Sequence, residues 1–424
     1  MKRYFNRLLA STLVRNAGII TLGTMLSQLI GMAVLPILSR IYTPADFGLL
    51  ALFVAVTSVT ATLVPLSYPI RIMLPESDAE ASAISQLSLW LSLALAVVLG
   101  ILVLLLSDDW AEKLGLLAVK AWMPAAIWTG TATALIGILS FKLNREQQYI
   151  RMSLMRIVQA SLVAGSGLLF GLCAVEQGLL VAQVIGLSVT VILFGGVLLS
   201  GQKLLGIRRL LQVAKAHAKA PRFLLPTALL DMFTLQMPYV LIALWFTAES
   251  TGQYRMAYSL LALPGALVGS AVSQVFYKQF SALWPDGFAA KALLLKTWKI
   301  LALVGIVPLL VIVLLGPEIF AFILGNEWRQ AGLMGSILAP MVFFSLIHSP
   351  TSVSFLPMGL ESKMLYFGIS VLIYRPLALY IGYLQHSIYT GLAVFVALEI
   401  LQMMMFQYIA WQHLSAHINQ ETQG

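Results

Sequence analysis

Gly201–Arg222, GQKLLGIRRLLQVAKAHAKAPR, is the longest polar interruption in an otherwise apolar chain and falls close to its midpoint. Lys203, Arg208, Arg209, Lys215, Lys219 and Arg222 lie within it, and no acidic residue does. A basic amphipathic stretch between two apolar halves reads as a cytoplasmic linker lying on a membrane surface. It predicts three parts: an N-terminal six-helix bundle over 1–200, a basic linker helix over 201–222, and a C-terminal six-helix bundle over 223–424.

The composition fits that division. Of 424 residues, 60% are hydrophobic and 10% charged, and the mean hydropathy is +0.91, whereas soluble domains carry about 25% charged residues. Apolar runs of about 20 residues recur, each long enough to cross roughly 30 Å of hydrocarbon. The net charge of +9 lies between the apolar runs rather than on a soluble face, so nucleic acid is not an expected partner. The lone Cys173 excludes an intramolecular disulfide and a cysteine-cluster metal site, and is expected as a small buried hydrophobe.

Twelve spans follow from the hydropathy pattern. The first half gives Ala17–Leu38, Gly48–Tyr68, Ala83–Leu106, Val119–Phe141, Ser153–Leu172 and Leu179–Leu199. The second gives Phe223–Phe246, Tyr254–Phe276, Trp298–Leu315, Gly332–Phe355, Met364–Leu384 and Thr390–Trp411. The N-terminal MKRYFNRLLASTLVRN reads as a short amphipathic helix before a retained first span, because the next apolar run outlasts a signal sequence and no Ala-x-Ala site follows.

Lys and Arg set the orientation. With the N-terminus in the cytoplasm, twenty of them fall on the inner side, including the six of the linker, Lys278, Lys291, Lys296, Lys299 and Lys363. The outer side keeps five: Arg40, Lys113, Lys120, Arg255 and Arg329. Both termini are therefore expected in the cytoplasm of a multi-pass plasma-membrane protein. Trp110, Trp122, Trp245 and Trp328 near outer ends, and Trp284, Trp298 and Trp411 near inner ones, read as aromatic belts.

The halves echo each other. TPADFGLLALF (Thr43–Phe53) has a counterpart in TAESTGQYRMAY (Thr247–Tyr258), and LLLSDDWAEKLG (Leu104–Gly115) in LLGPEIFAFILG (Leu314–Gly325). An even number of spans per half predicts two bundles related by a pseudo-twofold along the membrane normal, with a pathway between them. The expected fold class is an all-α polytopic membrane protein of about twelve transmembrane helices.

No phosphate-binding Gly loop, nucleophile elbow or metal-spaced His pair is present, so neither catalysis nor a cofactor nor a metal is expected. Charge within the spans stands out instead: Arg375 in span eleven, Glu399 in span twelve, Asp231 in span seven, and Arg15 at the start of span one. An ionised side chain at the bilayer centre costs roughly 2.5–3.5 kcal/mol on insertion scales and normally faces a bundle interior or watery cavity. Arg375 and Glu399 read either as a substrate site with an ion-coupling acid or as a structural pair joining two helices. Asp231 reads as an ion-coupling group or as a partner for backbone freed by Pro226 and Pro238. Arg40 and Arg255, beside the repeated turn, read as surface snorkelling or as an exit gate for an anionic head group.

LPILSRIYTPADFGLLALF (Leu35–Phe53), SYPIRIMLPESDAEA (Ser67–Ala81), KLNREQQYIRMSLMRIVQA (Lys142–Ala160) and LGNEWRQAG (Leu324–Gly332) resemble, in order, stretches of the bacterial polysaccharide biosynthesis/O-antigen flippase family. That family belongs to the multidrug/oligosaccharidyl-lipid/polysaccharide exporter superfamily. The resemblance implies two six-helix lobes and alternating access. It also implies export of an undecaprenyl-diphosphate-linked oligosaccharide to the periplasmic leaflet of the bacterial inner membrane, for O-antigen, capsule or exopolysaccharide. Membrane lipids, a polysaccharide polymerase and a chain-length regulator are its implied partners. One departure matters: the family's frequent Arg-Tyr-Glu is Ser67-Tyr68-Pro69 here, so no role of that ion pair carries over. Arg15, Arg375 and Arg255 would form a cationic ladder for a diphosphate, with Arg40 at the outer mouth. A cytoplasm-negative potential favours outward anion movement by about 2.3 kcal/mol per charge per 100 mV. The alternatives are a cation-coupled drug exporter of the same superfamily, a major-facilitator transporter, and a non-transporting scaffold for glycan assembly. The major-facilitator reading lacks the usual Gly-x-x-x-Asp-Arg loop, since Arg71–Ala81 reads RIMLPESDAEA.

Overall fold

The computed structural model describes residues 2–199 and 204–421, with side chains at all of these except 2–15, 17, 266–267, 270–271, 361, 365 and 420–421. Fourteen α-helices and no strand occur among the described residues, and the chain divides into two compact units, Met1–Gln236 and Met237–Gly424. The division falls inside a helix, fourteen residues beyond the end of the basic linker.

The first unit holds α1 (Lys2–Ile41), α2 (Pro44–Leu63), α3 (Asp78–Leu104), α4 (Asp108–Lys113), α5 (Met123–Arg145), α6 (Tyr149–Leu172), α7 (Gly178–Leu199), α8 (Ile207–Ala216) and the start of α9 (Leu225–Trp245). The second holds the rest of α9, α10 (Ala248–Leu283), α11 (Gly287–Leu324), α12 (Arg329–Ser352), α13 (Glu361–Leu384) and α14 (Ile388–Glu421). Eleven helices among the described residues are long and apolar enough to cross a membrane, which makes this an all-α multi-pass membrane protein. The expected span Tyr254–Phe276 lies within α10, part of which is outside the described side chains.

The internal echo is visible in packing. In the first unit α5 is central, packed on α2, α3 and α7; in the second, α12 is central, packed on α10, α11 and α14. These are the fourth span of each half against its second, third and sixth. The first repeated turn uses one device twice. Thr43 caps α2 by accepting from Asp46 N, while the Asp46 carboxylate accepts from Thr43 N at 2.9 Å, a capping box. Thr247 caps α10 by accepting from Ser250 N at 3.0 Å. The second echo diverges. Ser107, followed by Asp108 and Asp109, caps a new short helix, whereas Leu314–Leu324 continues α11 through Pro317 to Gly325, whose φ of 111° ends it.

Several expectations are corrected. No break separates an N-terminal amphipathic helix from the first span; α1 is one helix of 40 residues, because no Pro or Gly interrupts it before Gly18. Trp328 is not a belt residue: it is 0% exposed, in the 3-10 turn Asn326–Trp328 between α11 and α12. Cys173 is exposed, since it follows the last turn of α6 where the chain reverses through Ala174.

The basic linker is docked on protein rather than only on headgroups. Gly201, Gln202 and Lys203 lie outside the described residues. Beyond them Leu205 N donates to Gln86 Oε1 at 3.0 Å, Tyr68 OH donates to Ala214 O at 3.2 Å, and His217 Nε2 lies 3.0 Å from Glu80 Oε1. Val213 is buried in the same cluster as Tyr68, Ile72 and Ile84. The opposite side of the segment exposes Leu204, Ile207 and Leu211 beside Arg208 and Arg209, leaving apolar and basic groups for a membrane surface.

Two cations assigned to loops by sequence are structural. Arg145 donates to Ile72 O at 3.0 Å, Pro75 O at 2.8 Å and Asp78 Oδ1 at 3.0 Å, clamping the turn that begins at Ser67-Tyr68-Pro69. Lys142, 6% exposed, donates to Val197 O at 2.6 Å and Leu198 O at 3.3 Å. Those carbonyls close α7, where no intrahelical donor remains and a cation complements the helix dipole. Lys142→Met is expected to cost about 1–3 kcal/mol, the penalty of an orphaned buried acceptor. A lowered melting temperature in detergent reads it out; an unchanged one would remove Lys142 from the supports of α7.

Candidate functional site

The α13–α14 hairpin builds the site. His386 takes the left-handed conformation (φ 52°), Ser387 N bonds Gly382 O at 2.9 Å and His386 N bonds Tyr383 O at 3.0 Å, a Schellman stop. Ser387 Oγ then accepts from Thr390 N at 3.3 Å in the first turn of α14. Next to this turn the helices cross backbone to backbone: a Cβ on Gly382 would lie 2.5 Å from Gly391 Cα. Only small residues permit that approach. Two turns further in on each helix the crossing brings Arg375 to Glu399, Nε to Oε1 at 2.5 Å. Arg375 lies nine residues from the end of α13, about 14 Å along the axis at 1.5 Å per residue. That is close to the middle of a hydrocarbon layer of roughly 30 Å.

The pair is held from several sides. Glu399 is 2% exposed, and the Arg375 guanidinium lies over the Phe395 ring, 5.5 Å from its centroid. Tyr374 OH donates to Gln402 Oε1 at 2.8 Å, and Gln402 Nε2 donates to Phe367 O at 2.8 Å. Gln402 thereby braces α13 against α14 from the Tyr374 side.

A tyrosine cluster adjoins the pair within the same unit. Tyr239 meets Tyr254 edge to face at 5.4 Å, and Tyr254 stacks with Tyr258 at 6.0 Å. The field of Arg375 and Glu399 reaches both Tyr254 and Tyr258. Arg255, half-buried beside Tyr239, has no carboxylate or hydrogen-bond partner among the described residues. It sits seven residues into α10, about 10 Å from the helix start. The start of α10 is fixed by Gln253 Nε2, which donates to Glu327 O at 2.7 Å. Arg375 and Glu399 are oppositely charged partners, whereas the charge of Arg255 has no carboxylate against it among the described residues. Toward the hairpin turn, Trp245 packs on Tyr380 and Tyr383 with centroids 5.5 and 6.3 Å away.

The remaining expected site residues lie in the first unit. The Arg15 side chain is outside the described residues. Arg40 is exposed in the last turn of α1, where its charge complements the helix dipole. Asp231 is exposed on α9, with no hydrogen bond to backbone freed by Pro226 or Pro238 and no cationic partner among the described residues. Thus, within the second unit, the structure joins Arg375 with Glu399 and sets Arg255 beside Tyr239 of the tyrosine cluster.

Sequence reading missed two features. Tyr254 and Tyr258, four residues apart around Arg255 in QYRMAY, carried a legible signal in their spacing. In the first unit Arg156, counted as a loop cation, lies half-buried on α6 and donates to Thr24 Oγ1 on α1. Nearby on α1, Gln28 Oε1 is buried without a hydrogen-bond partner among the described residues. The sequence puts Arg156 three residues into the expected span Ser153–Leu172, whereas it lies two turns into α6, and only the α1–α6 packing shows what it faces.

Comparison with known proteins agrees with this architecture. A multidrug resistance MATE family transporter of the MOP superfamily in an inward-facing conformation superimposes with a TM-score of 0.72. It is 14% identical, covering 92% of this chain and 95% of that one. The lipid II flippase MurJ, in an inward closed conformation, gives 0.72 at 12% identity, over 94% of this chain and 89% of that one. The fold is therefore the one these membrane proteins share. The family model for polysaccharide biosynthesis proteins matches residues 37–332, and the chain belongs to that family. The teichuronic acid biosynthesis protein TuaB of Bacillus subtilis (strain 168) is 22% identical over 199 residues, 46% of this chain and 41% of that relative's length.

Proposed function

We propose that the protein moves an undecaprenyl-diphosphate-linked oligosaccharide from the cytoplasmic to the periplasmic leaflet of the bacterial inner membrane, by alternating access. The product would feed O-antigen, capsule or exopolysaccharide synthesis, with a polymerase and a chain-length regulator acting on it downstream. Membership of the polysaccharide biosynthesis family supports the biological context. The observation that carries the reading is the buried Arg375–Glu399 pair near the middle of the spans, with the half-buried Arg255 beside Tyr239 in the same unit and without a carboxylate partner among the described residues.

A lipid-linked glycan brings a diphosphate and a set of sugar faces. A guanidinium offers a diphosphate planar, charge-assisted hydrogen bonds that survive desolvation. Tyrosine rings offer sugars an apolar face with a hydroxyl at its edge. Glu399 makes Arg375 tolerable in the empty site, since an isolated cation there would cost roughly 2.5–3.5 kcal/mol. When a diphosphate arrives, it shares the role of counter-ion to Arg375, and Arg255 supplies the net attraction.

Arg255→Gln tests this without leaving a buried carboxylate unpaired. Surface polysaccharide is expected to fall about tenfold or more, the effect of losing one charge-assisted contact of 1.5–3 kcal/mol. Lipid-linked repeat units should accumulate on the cytoplasmic leaflet while protein level and melting temperature stay unchanged. Wild-type surface polysaccharide in a strain without a paralogue would count against the assignment.

A further inference from the structure

A cavity of about 470 Å³ lies among α11, α12 and α14 in the second unit, with none of Arg375, Glu399 and Arg255 in its lining. That is within the roughly 300–1,000 Å³ typical of small-ligand pockets. Trp298, Lys299 and Trp411, the two indoles with ring centroids 6.4 Å apart, line one end of it along the helices, and Phe344, Met403 and Met404 lie further along α12 and α14. From Trp411 to Met403 the wall runs eight residues along α14, about 12 Å.

The polar groups in that wall are turned toward one another. Gln407 Nε2 lies 3.2 Å from His348 Nδ1 and donates to Thr351 Oγ1 at 2.8 Å, and Trp298 Nε1 reaches the same hydroxyl at 3.3 Å. The cavity therefore offers an almost wholly apolar surface. Lys299 is in its lining, and Lys291 and Lys296 precede it on the same helix, α11. Lys291 is occupied, over the Trp411 ring at 3.8 Å and bonded to Ser415 Oγ at 3.0 Å. Lys296 and Lys299 are exposed and have no carboxylate partner among the described residues.

We infer that this cavity holds one acyl chain of an anionic phospholipid, with its phosphate on Lys299 and Lys296. Tryptophans mark headgroup depth, and the lysines stand at that depth on the end of the unit that the charge asymmetry assigns to the cytoplasm. Anionic lipids of the cytoplasmic leaflet are drawn to such clusters. A wall of about 12 Å ends within one leaflet of a roughly 30 Å layer, which suits a single-leaflet acyl chain better than a longer polyprenyl chain. The site is independent of the proposed translocation: none of its lining residues belongs to the Arg375, Glu399 and tyrosine cluster.

Native mass spectrometry of the full chain, purified in mild detergent and titrated with phosphatidylglycerol or phosphatidylcholine, tests it. The wild type is expected to retain one phosphatidylglycerol and to prefer it over phosphatidylcholine. Lys296→Gln/Lys299→Gln should lower that retention about fivefold per lysine removed. Met404→Trp, which fills the cavity and leaves the lysines in place, should lower retention of both lipids. Equal retention of the two lipids by the wild type, unchanged retention in either variant, or displacement of phosphatidylglycerol by undecaprenyl phosphate at equal concentration would overturn the assignment.

Discussion

Arg375→Met is expected to destabilise the second unit by about 3–5 kcal/mol and to abolish transport, because it strands a buried carboxylate. Glu399, 2% exposed, has Arg375 as its ion-pair partner. The double variant Arg375→Met/Glu399→Met separates the two effects. Replacing a buried pair by apolar side chains of similar volume is usually neutral or stabilising, so melting behaviour should return to that of the wild type. Transport should not return, since the proposed function makes Arg375 a diphosphate contact as well as half of a helix tie. Melting temperature in detergent and surface polysaccharide in cells read the two quantities separately. A double variant that exports normally would reduce Arg375 and Glu399 to a structural pair, the other reading their positions allow.

Gly382→Val is expected to have the next largest effect, without touching a charged residue. Its Cβ would lie 2.5 Å from Gly391 Cα and 2.9 Å from Ser387 O, backbone atoms that no side-chain rotation can move aside. Overpacking costs typically about 1–3 kcal/mol where side chains can repack, and a backbone crossing stands at the upper end or beyond. The α13–α14 crossing must then open, which separates Arg375 from Glu399 two turns away. Loss of export together with a lower melting temperature is the expected outcome. The control Gly368→Val lies on the same helix with open space around its Cβ position and should retain activity. Equal behaviour of the two variants would remove the crossing as the element that sets the site.

The contrast between these residues shows how far the sequence could be read. The all-α membrane fold and the presence of charges within helices follow from hydropathy and from the cost of burying ions, both of which act along the chain. The pairing of Arg375 with Glu399 was half-legible: consecutive spans must meet, but which faces meet depends on the Gly382–Gly391 contact and the His386 turn. Arg255 was read as an outer-surface group because its loop position was visible and the tyrosines packed around it were not. Lys142 and Arg156 were counted as loop cations for the same reason; their partners lie 55 and 132 residues away. Trp328 illustrates the opposite failure. Tryptophan near a span end suits an interface and a core equally well, and only the packing of α11 and α12 decides. The linker's own residues read as amphipathic, yet Glu80 and Gln86, which hold it to α3, carry no mark in the linker itself.

Translocation by the purified protein tests the central assignment most directly. Proteoliposomes would carry a fluorescent undecaprenyl-diphosphate oligosaccharide, with its appearance in the opposite leaflet followed by a membrane-impermeant quencher. The expected result is protein-dependent translocation that accelerates when the leaflet of departure faces the negative side, since each anionic charge gains about 2.3 kcal/mol per 100 mV. Arg255→Gln should slow it about tenfold or more. Translocation no faster than in protein-free liposomes, or an Arg255→Gln rate equal to wild type, would contradict it.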